Sequence, residues 1–360
     1  MNPPPGLNKL KRQRTLLKWY DGNGRNMPWR SRIPQTPNSY HVLLSEAMLQ
    51  QTQVATVIDY FNRFITAFPT VHDLADADEQ QVLKLWEGLG YYRRARNLHA
   101  CAKMIVDQHD GIVPNTVDAL LKLPGVGRYT AGAIASIAYG VAAPILDGNV
   151  VRVLSRWFAI TDSTDDKHVK EQLWQLAEQL VPTQRAGDFN QAMMDLGAMI
   201  CTPKSPACLT CPMAKMCSAY DQGIAETLPK RTPRTKPTTV THHVVSIERK
   251  GQYLFTQRPA SGLWSNMWQM PTLEESNEKE LVLQVKSQLG LDVSDLQKVQ
   301  NFKHQTTHRT ITFTHWHAGE VSGRLKSGVG QWRKLDQLED LPLANPQSKV
   351  VTFLIKKDLA

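Results

Sequence analysis

Leu120-Leu-Lys-Leu-Pro-Gly-Val-Gly-Arg-Tyr-Thr130, the small-residue run Ala131-Gly-Ala-Ile-Ala-Ser-Ile-Ala-Tyr139 and then Leu146-Asp-Gly-Asn149 form the stretch on which the reading of this chain turns. Leu120, Leu121 and Leu123 make a short apolar helix that Pro124-Gly125 breaks. Gly125 and Gly127 allow a tight hairpin with its amides turned outward. A second helix is expected from about Tyr129, its alanines, glycine and serine permitting close packing. Unobstructed amides at a helix start suit a phosphate group. Two readings follow: a helix-hairpin-helix that grips a nucleic-acid backbone, or an ordinary joint between two helices.

The bulk numbers agree with a polyanionic partner without demanding one. The chain has 360 residues, room for two domains with cores of their own. Its formal charge is +9 and its pI about 9.3. No apolar run is long enough to span a bilayer. The proline-rich, basic N-terminus lacks an apolar signal core, so a cytoplasmic location is the expectation.

Helical periodicity dominates the first 220 residues, with runs at 7–20, 40–65 (broken near 50–53), 79–87, 93–108, 130–139, 150–158, 169–180 and 189–200. Near residue 222 the composition shifts to proline, threonine and basic residues, which reads as an exposed linker. Strand-like runs follow at 240–247, 253–257, 309–316 and 331–334, with helical patterns at 278–289 and 346–357. The expected division is therefore an all-α region over 1–220, a linker over 221–238 and a smaller α+β domain over 239–360.

Four cysteines crowd the end of the helical region, spaced Cys201-x6-Cys208-x2-Cys211-x5-Cys217. Thiolates within 17 residues of one another can converge on one centre. Zinc sites favour two close pairs, and here there is a single CxxC; the uneven spacing suits the separated corners of a [4Fe–4S] cube better. Cys101, in mid-helix between alanines, reads as a packing residue.

Two carboxylates draw attention. Glu46 shares a helical face with Val42, Leu43 and Leu49. Buried, it would hold a proton at neutral pH; on an exposed face it would be an ordinary anion. Asp147 precedes Gly148-Asn149-Val150, and its plainest reading is a helix N-cap. A neutral acid paired with an ionised one is also the arrangement that glycosidic bond cleavage uses.

Taken together, Ser45-Glu-Ala-Met-Leu-Gln-Gln-Thr-Gln-Val54, Trp86-Glu-Gly-Leu-Gly-Tyr-Tyr92, the hairpin, Leu146-Asp-Gly-Asn-Val150 and the cysteine tetrad resemble the adenine DNA glycosylase (MutY) family over essentially the whole chain. The resemblance implies a helix-hairpin-helix glycosylase fold carrying a [4Fe–4S] cluster on Cys201, Cys208, Cys211 and Cys217, followed by a Nudix-like domain. It implies removal of adenine mispaired with 8-oxoguanine or, more weakly, guanine in double-stranded DNA, by a chain expected to be monomeric. Glu46 would protonate adenine at N7 and Asp147 would stabilise the sugar cation, with Tyr129 and Asn149 lining that site. Gln51, Thr52, Leu89 and Tyr91 would enter the duplex or contact the lesion, with Gly88 and Gly90 favouring an exposed loop. Gly125 and Gly127 would hold DNA phosphate.

Tyr129 separates this family from the endonuclease III type, which carries a lysine there and cleaves the strand; a phenol cannot form a Schiff base. In the C-terminal domain the family often has a Phe-Ser-His element, and the corresponding stretch here is His304-Gln-Thr-Thr-His308. Thr307 and His308 would read the lesion; Thr307 can replace the serine hydroxyl, whereas Thr306 cannot replace the ring. Pro271–Leu291 lacks the paired acidic pattern of a magnesium-binding Nudix helix, so Glu274, Glu275, Glu278 and Glu280 read as a solvated face and the domain as a recognition module. A bifunctional pyrimidine-lesion glycosylase, a Nudix hydrolase and a non-catalytic DNA-binding protein are the competing functions. Ser31–Asn38 reads as a longer loop than the family's, and Lys230, Arg231, Arg234 and Lys236 as basic linker residues that hold DNA by charge.

Overall fold

A computed structural model describes residues 8–30, 37–233, 237–274 and 277–358. Most of the Ser31–Asn38 loop, Arg234, Lys236 and Glu275 lie outside the described residues. The chain forms two units, one of residues 1–76 and 97–233, the other of 77–96 and 234–360.

The first unit is helical, as the periodicity predicts. It contains α1 (Lys9–Asn23), α2 (Ser39–Leu49), α3 (Val54–Ala67), α4 (Val71–Asp76), most of α6 (Arg93–His109), α7 (Val117–Leu120), α8 (Arg128–Tyr139), α9 (Gly148–Trp157), α10 (Lys167–Leu180), α11 (Ala186–Met199) and the short α12 (Ser218–Asp221). Breaks fall where side chains cap: the Asn38 side chain accepts from the amides of Tyr40 and His41, and Asp166 from those of His168 and Val169. Helix α8 is the hub, packing against α2, α7 and α11. Its small residues make that possible, because a methyl on Gly132 would lie 2.1 Å from the Pro144 carbonyl oxygen. Gly187 of α11 sits equally tight, its added methyl 2.6 Å from the Ser136 carbonyl oxygen. Leu16, Leu154, Trp157, Leu173, Phe189 and Leu196 fill the core between α1, α9, α10 and α11.

The second unit holds α5 (Glu79–Leu85) and the start of α6 together with the C-terminal α+β structure. One sheet runs β5 (Thr272–Glu274), β1 (Thr238–Ser246), β7 (Arg309–Gly323), β6 (Leu291–Gln305). Strands β1 and β7 are parallel, with Val244 beside His315, and β6 and β7 form a long antiparallel hairpin with Phe302 beside Phe313. The second sheet is built on β3 (Gln252–Gln257), flanked by β2 (Glu248–Arg249), β4 (Trp268–Gln269) and β8 (Gly330–Arg333). Helices α13 (Leu281–Leu289) and α14 (Asn345–Asp358) complete the unit.

Two expectations about the domains are corrected. Residues 77–96 do not group with the helical unit: Lys84 donates to the carbonyls of Leu338 and Leu341, at 3.0 and 3.1 Å, and Arg96 to that of Ser265 at 2.8 Å. The expected linker is also fastened over part of its length. Arg156 donates to the Leu228 carbonyl at 3.0 Å, the Thr164 amide to that of Lys230 at 3.0 Å, and the Thr232 amide to Asp165 at 2.7 Å. Single polar hydrogen bonds, some from side chains and some from backbone amides, make these ties, and they leave no hydrophobic period to read.

Gly132→Ala is expected to destabilise the helical unit by about 1–3 kcal/mol, because backbone cannot move aside as a side-chain tip can. The check is a lower urea midpoint for that unit's transition at an unchanged slope.

Candidate active site

Helices α2, α8, α9 and α11 and the segment before α2 enclose a cavity of about 460 Å³ in the helical unit. Glu46, Tyr129, Asp147 and Asn149 line it, as do Gln51 and Thr52. These six were singled out from the sequence, and the fold brings them together.

Glu46 is 4% exposed, so its helical face is the buried one. Its Oε2 has no hydrogen-bond partner among the described residues. Burial pushes the carboxyl up to about 7, the nearby Tyr129 hydroxyl opposes this, the Asp147 charge adds to it and Arg30 opposes it. Tyr129 stands half-buried and donates to Met194 Sδ at 3.4 Å. Burial, then the negative charges of Glu46 and Asp147, hold its phenol neutral.

Asp147 is the N-cap of α9 and a pocket residue at once. Its Oδ1 accepts from the Val150 amide at 2.7 Å and its Oδ2 from Asn149 Nδ2 at 3.0 Å. Burial raises this carboxyl too, but both hydrogen bonds favour its anion. With two donors on Asp147 and none on Glu46 Oε2 among the described residues, a proton in this cavity is held more readily by Glu46 than by Asp147. Asn149 is itself oriented, since Arg152 Nη2 donates to its Oδ1 at 2.8 Å. The same guanidinium donates through Nε to the Cys201 carbonyl at 2.7 Å and through Nη2 to that of Gly197 at 2.7 Å.

Three charged residues of the site escaped the sequence reading. Asp195, fully buried on α11, pairs with Arg30 at 2.8 Å and with Arg25 at 2.7 Å, and both arginines line the cavity. Burial pushes Asp195 up, but the two arginines hold it below the usual carboxylate range. Its signal was available: an acid amid Ala192-Met-Met and Leu196-Gly is the same anomaly as Glu46.

The remaining residues lie elsewhere. Gly125 has a φ of 77°, and a methyl there would strike the Asn97 side chain at 2.7 Å. Gly127 opens α8 without a side-chain cap and has open space around it. In the second unit Tyr91 is 48% exposed, whereas Leu89 is 6% exposed. Leu89 was expected on an exposed loop; the turn from Trp86 instead tucks it inward, its amide donating to the Trp86 carbonyl at 3.0 Å. Thr307 and His308 are exposed at the tip of the β6–β7 hairpin, with Thr307 Oγ1 3.1 Å from the Tyr91 hydroxyl. Thr306 closes that turn through its hydroxyl, which accepts from the Arg309 amide at 3.0 Å.

The four cysteines surround one small cavity beside Arg156 and Trp157. All are free thiols; burial pushes Cys211 up to about 12, and the charge of the other three adds to this. Among the described residues no three His, Cys, Asp or Glu are gathered closely enough to hold a single metal ion. Four thiols facing one small cavity are the donor set that an iron–sulfur group takes. Arg156 Nη1 donates to Cys201 Sγ at 3.3 Å.

Residues 44–179 match the HhH-GPD superfamily of base excision DNA repair proteins, and residues 242–352 match the NUDIX domain. The chain is 39% identical to the adenine DNA glycosylase of Rattus norvegicus over 84% of its own length and 69% of the relative's. Against the adenine DNA glycosylase of Buchnera aphidicola subsp. Schizaphis graminum it is 34% identical over 93% of its length and 96% of the relative's. The chain belongs to the adenine DNA glycosylase family. Among solved structures, a thermostable thymine-DNA glycosylase superposes on 59% of the chain and 97% of its own with a TM-score of 0.54 at 32% identity.

The raised Glu46 value has a measurable sign. A carboxyl whose folded-state value exceeds its unfolded one contributes stability in acid and loses it as pH rises through about 7. Glu46→Gln is therefore expected to be more stable than the native chain near neutral-to-alkaline pH by about 3 kcal/mol, with the difference vanishing below the ordinary carboxylate range. Urea unfolding at the two pH extremes checks it.

Proposed function

We propose that the chain removes adenine mispaired with 8-oxoguanine, or more weakly with guanine, from double-stranded DNA after the base has left the stack. As a member of its family it is an adenine-specific DNA glycosylase of base excision repair. The observation that carries the mechanism is Glu46, its Oε2 buried with no hydrogen-bond partner among the described residues, in a cavity that Asp147 shares. Glu46 donates its proton to adenine N7, so the glycosidic electron pair leaves on a neutral base. Asp147, held by Val150 and Asn149, offsets the positive charge that develops on the sugar, and water completes the hydrolysis. Tyr129 supplies a neutral hydroxyl beside Glu46 and no amine, which supports a glycosylase without strand cleavage.

Gly125 and Gly127 offer amides to phosphate, and Gln51 and Thr52 stand at the cavity for contact with the opposed base. Lys230 and Arg231 add charge, and a methyl on Gly148 of the cavity would lie 4.0 Å from Arg231 Nη2. The exposed Thr307 and His308 would read 8-oxoguanine. Thr306, whose hydroxyl is engaged in closing the turn, adds no ring of its own to that reading. Cys201, Cys208, Cys211 and Cys217 would hold the [4Fe–4S] cluster. Bound there, it would cross-link the loop and offer a one-electron centre.

Duplexes carrying A opposite 8-oxoguanine, A opposite G and thymine glycol, assayed together, are expected to lose adenine only; release of thymine glycol would overturn the assignment. Glu46→Gln is expected to keep duplex binding while single-turnover excision drops by about 10³-fold or more. Arg152→Gln, which frees the Asn149 amide, is expected to slow excision on the order of 10–100-fold. Borohydride trapping on substrate DNA should give no covalent product in quantity, since Tyr129 cannot form the imine.

A further inference from the structure

Helix α1 carries five basic residues: Lys9, Lys11, Arg12, Arg14 and Lys18. Four are exposed, but Arg12 is turned inward and is 2% exposed. Its guanidinium lies against two aromatic rings, 5.0 Å from the centre of Trp157 and 4.8 Å from that of Phe158. Its Nη2 donates to the Met216 carbonyl at 2.7 Å, one residue before Cys217. The contact joins positions 204 residues apart. The neighbouring Arg156 engages the same cysteines, donating to Cys201 Sγ at 3.3 Å and accepting at its carbonyl from Cys217 Sγ at 3.4 Å.

Packing alone does not account for Arg12. An aromatic-lined slot would accept an apolar side chain without the desolvation cost of a guanidinium. The partner that grows most negative is the ligated cluster: four thiolates outweigh the charge of the iron–sulfide core, and reduction adds another electron.

We propose that Arg12 is a positioning residue of the iron–sulfur centre, fixing Cys217 through the Met216 carbonyl and raising the cluster's reduction potential with its buried charge. The inference rests on the assignment of a cluster to the four cysteines. A cation beside the cluster favours its more negative, reduced form whichever one-electron couple is in use, so loss of the cation moves the potential to more negative values.

The test uses the full chain as purified. Iron per chain, the absorbance near roughly 400 nm expected of a cluster, the rate of bleaching by an iron chelator and the potential from film voltammetry are measured for the native protein and four variants. Arg12→Met is expected to bleach several-fold faster with its potential shifted negative. Arg12→Gln keeps a donor for the Met216 carbonyl and loses the charge, so it shows the shift even if the apolar variant fails to fold. Arg12→Lys restores the charge and brings the potential back toward the native value. Leu16→Ala loosens the same helix without touching charge and should lower Tm while leaving the potential unmoved. Native potential and bleaching in Arg12→Gln, or an equal shift in Leu16→Ala, would overturn the role of Arg12. Native protein without iron or the absorption band would instead remove the cluster assignment, and this inference with it.

Discussion

Asp147 has to be two things at once, and the site depends on how α9 reconciles them. As an N-cap it accepts the Val150 amide; as a pocket residue it faces the cavity that Glu46 also lines. A buried carboxylate in that position would take up a proton if nothing favoured its charge. The cap hydrogen bond, the helix dipole and the Asn149 amide all do so. Because these groups belong to the first turn of the helix, the anion is held by backbone geometry rather than by a mobile counter-ion. Arg152 and Arg156, farther along α9, then reach the cysteine loop, so one helix aligns both the acid and the thiols.

Glu46 is treated in the opposite way. Its helix supplies no donor to Oε2, and the charge of Asp147 lies close enough to raise its carboxyl further. Two acids in one cavity thus diverge through what surrounds them, one with a buried oxygen that no donor reaches among the described residues and one supplied with two donors. The Asp195 cluster serves the same wall. Arg30 would ionise Glu46 if it were unpaired, and Asp195 takes up most of that positive charge through two hydrogen bonds at 2.8 and 3.0 Å.

Much of this was legible in the residues. Helix periodicity located α2, α3, α8 and α9 to within a few positions, and the misplaced acid on α2 marked the cavity. The hairpin glycines were legible because only a left-handed φ and open amides require them there. What was not legible shares one physical character. The long strand β6 alternates weakly, most of its residues being at least partly exposed, so it offered no period-two signal. Arg12 looked like one more basic residue on a solvated face, because burial of a cation depends on rings and carbonyls far off in sequence. The ties of 77–96 to the C-terminal structure are likewise side-chain bonds to carbonyls, which no local pattern records.

Those ties bear on how the chain can be made and divided. The polypeptide leaves the helical unit after Asp76 and returns at Asn97, and the residues that satisfy the excursion come much later in the chain. The carbonyls at Ser265, Leu338 and Leu341 that Arg96 and Lys84 bond are made well over a hundred residues after them. A chain stopped at Pro233 would present this excursion as a permanent loose loop inside an otherwise packed helical unit, open to proteases at the Gly88 and Gly90 turns. The two units are thus interleaved along the sequence, and no single peptide bond divides them.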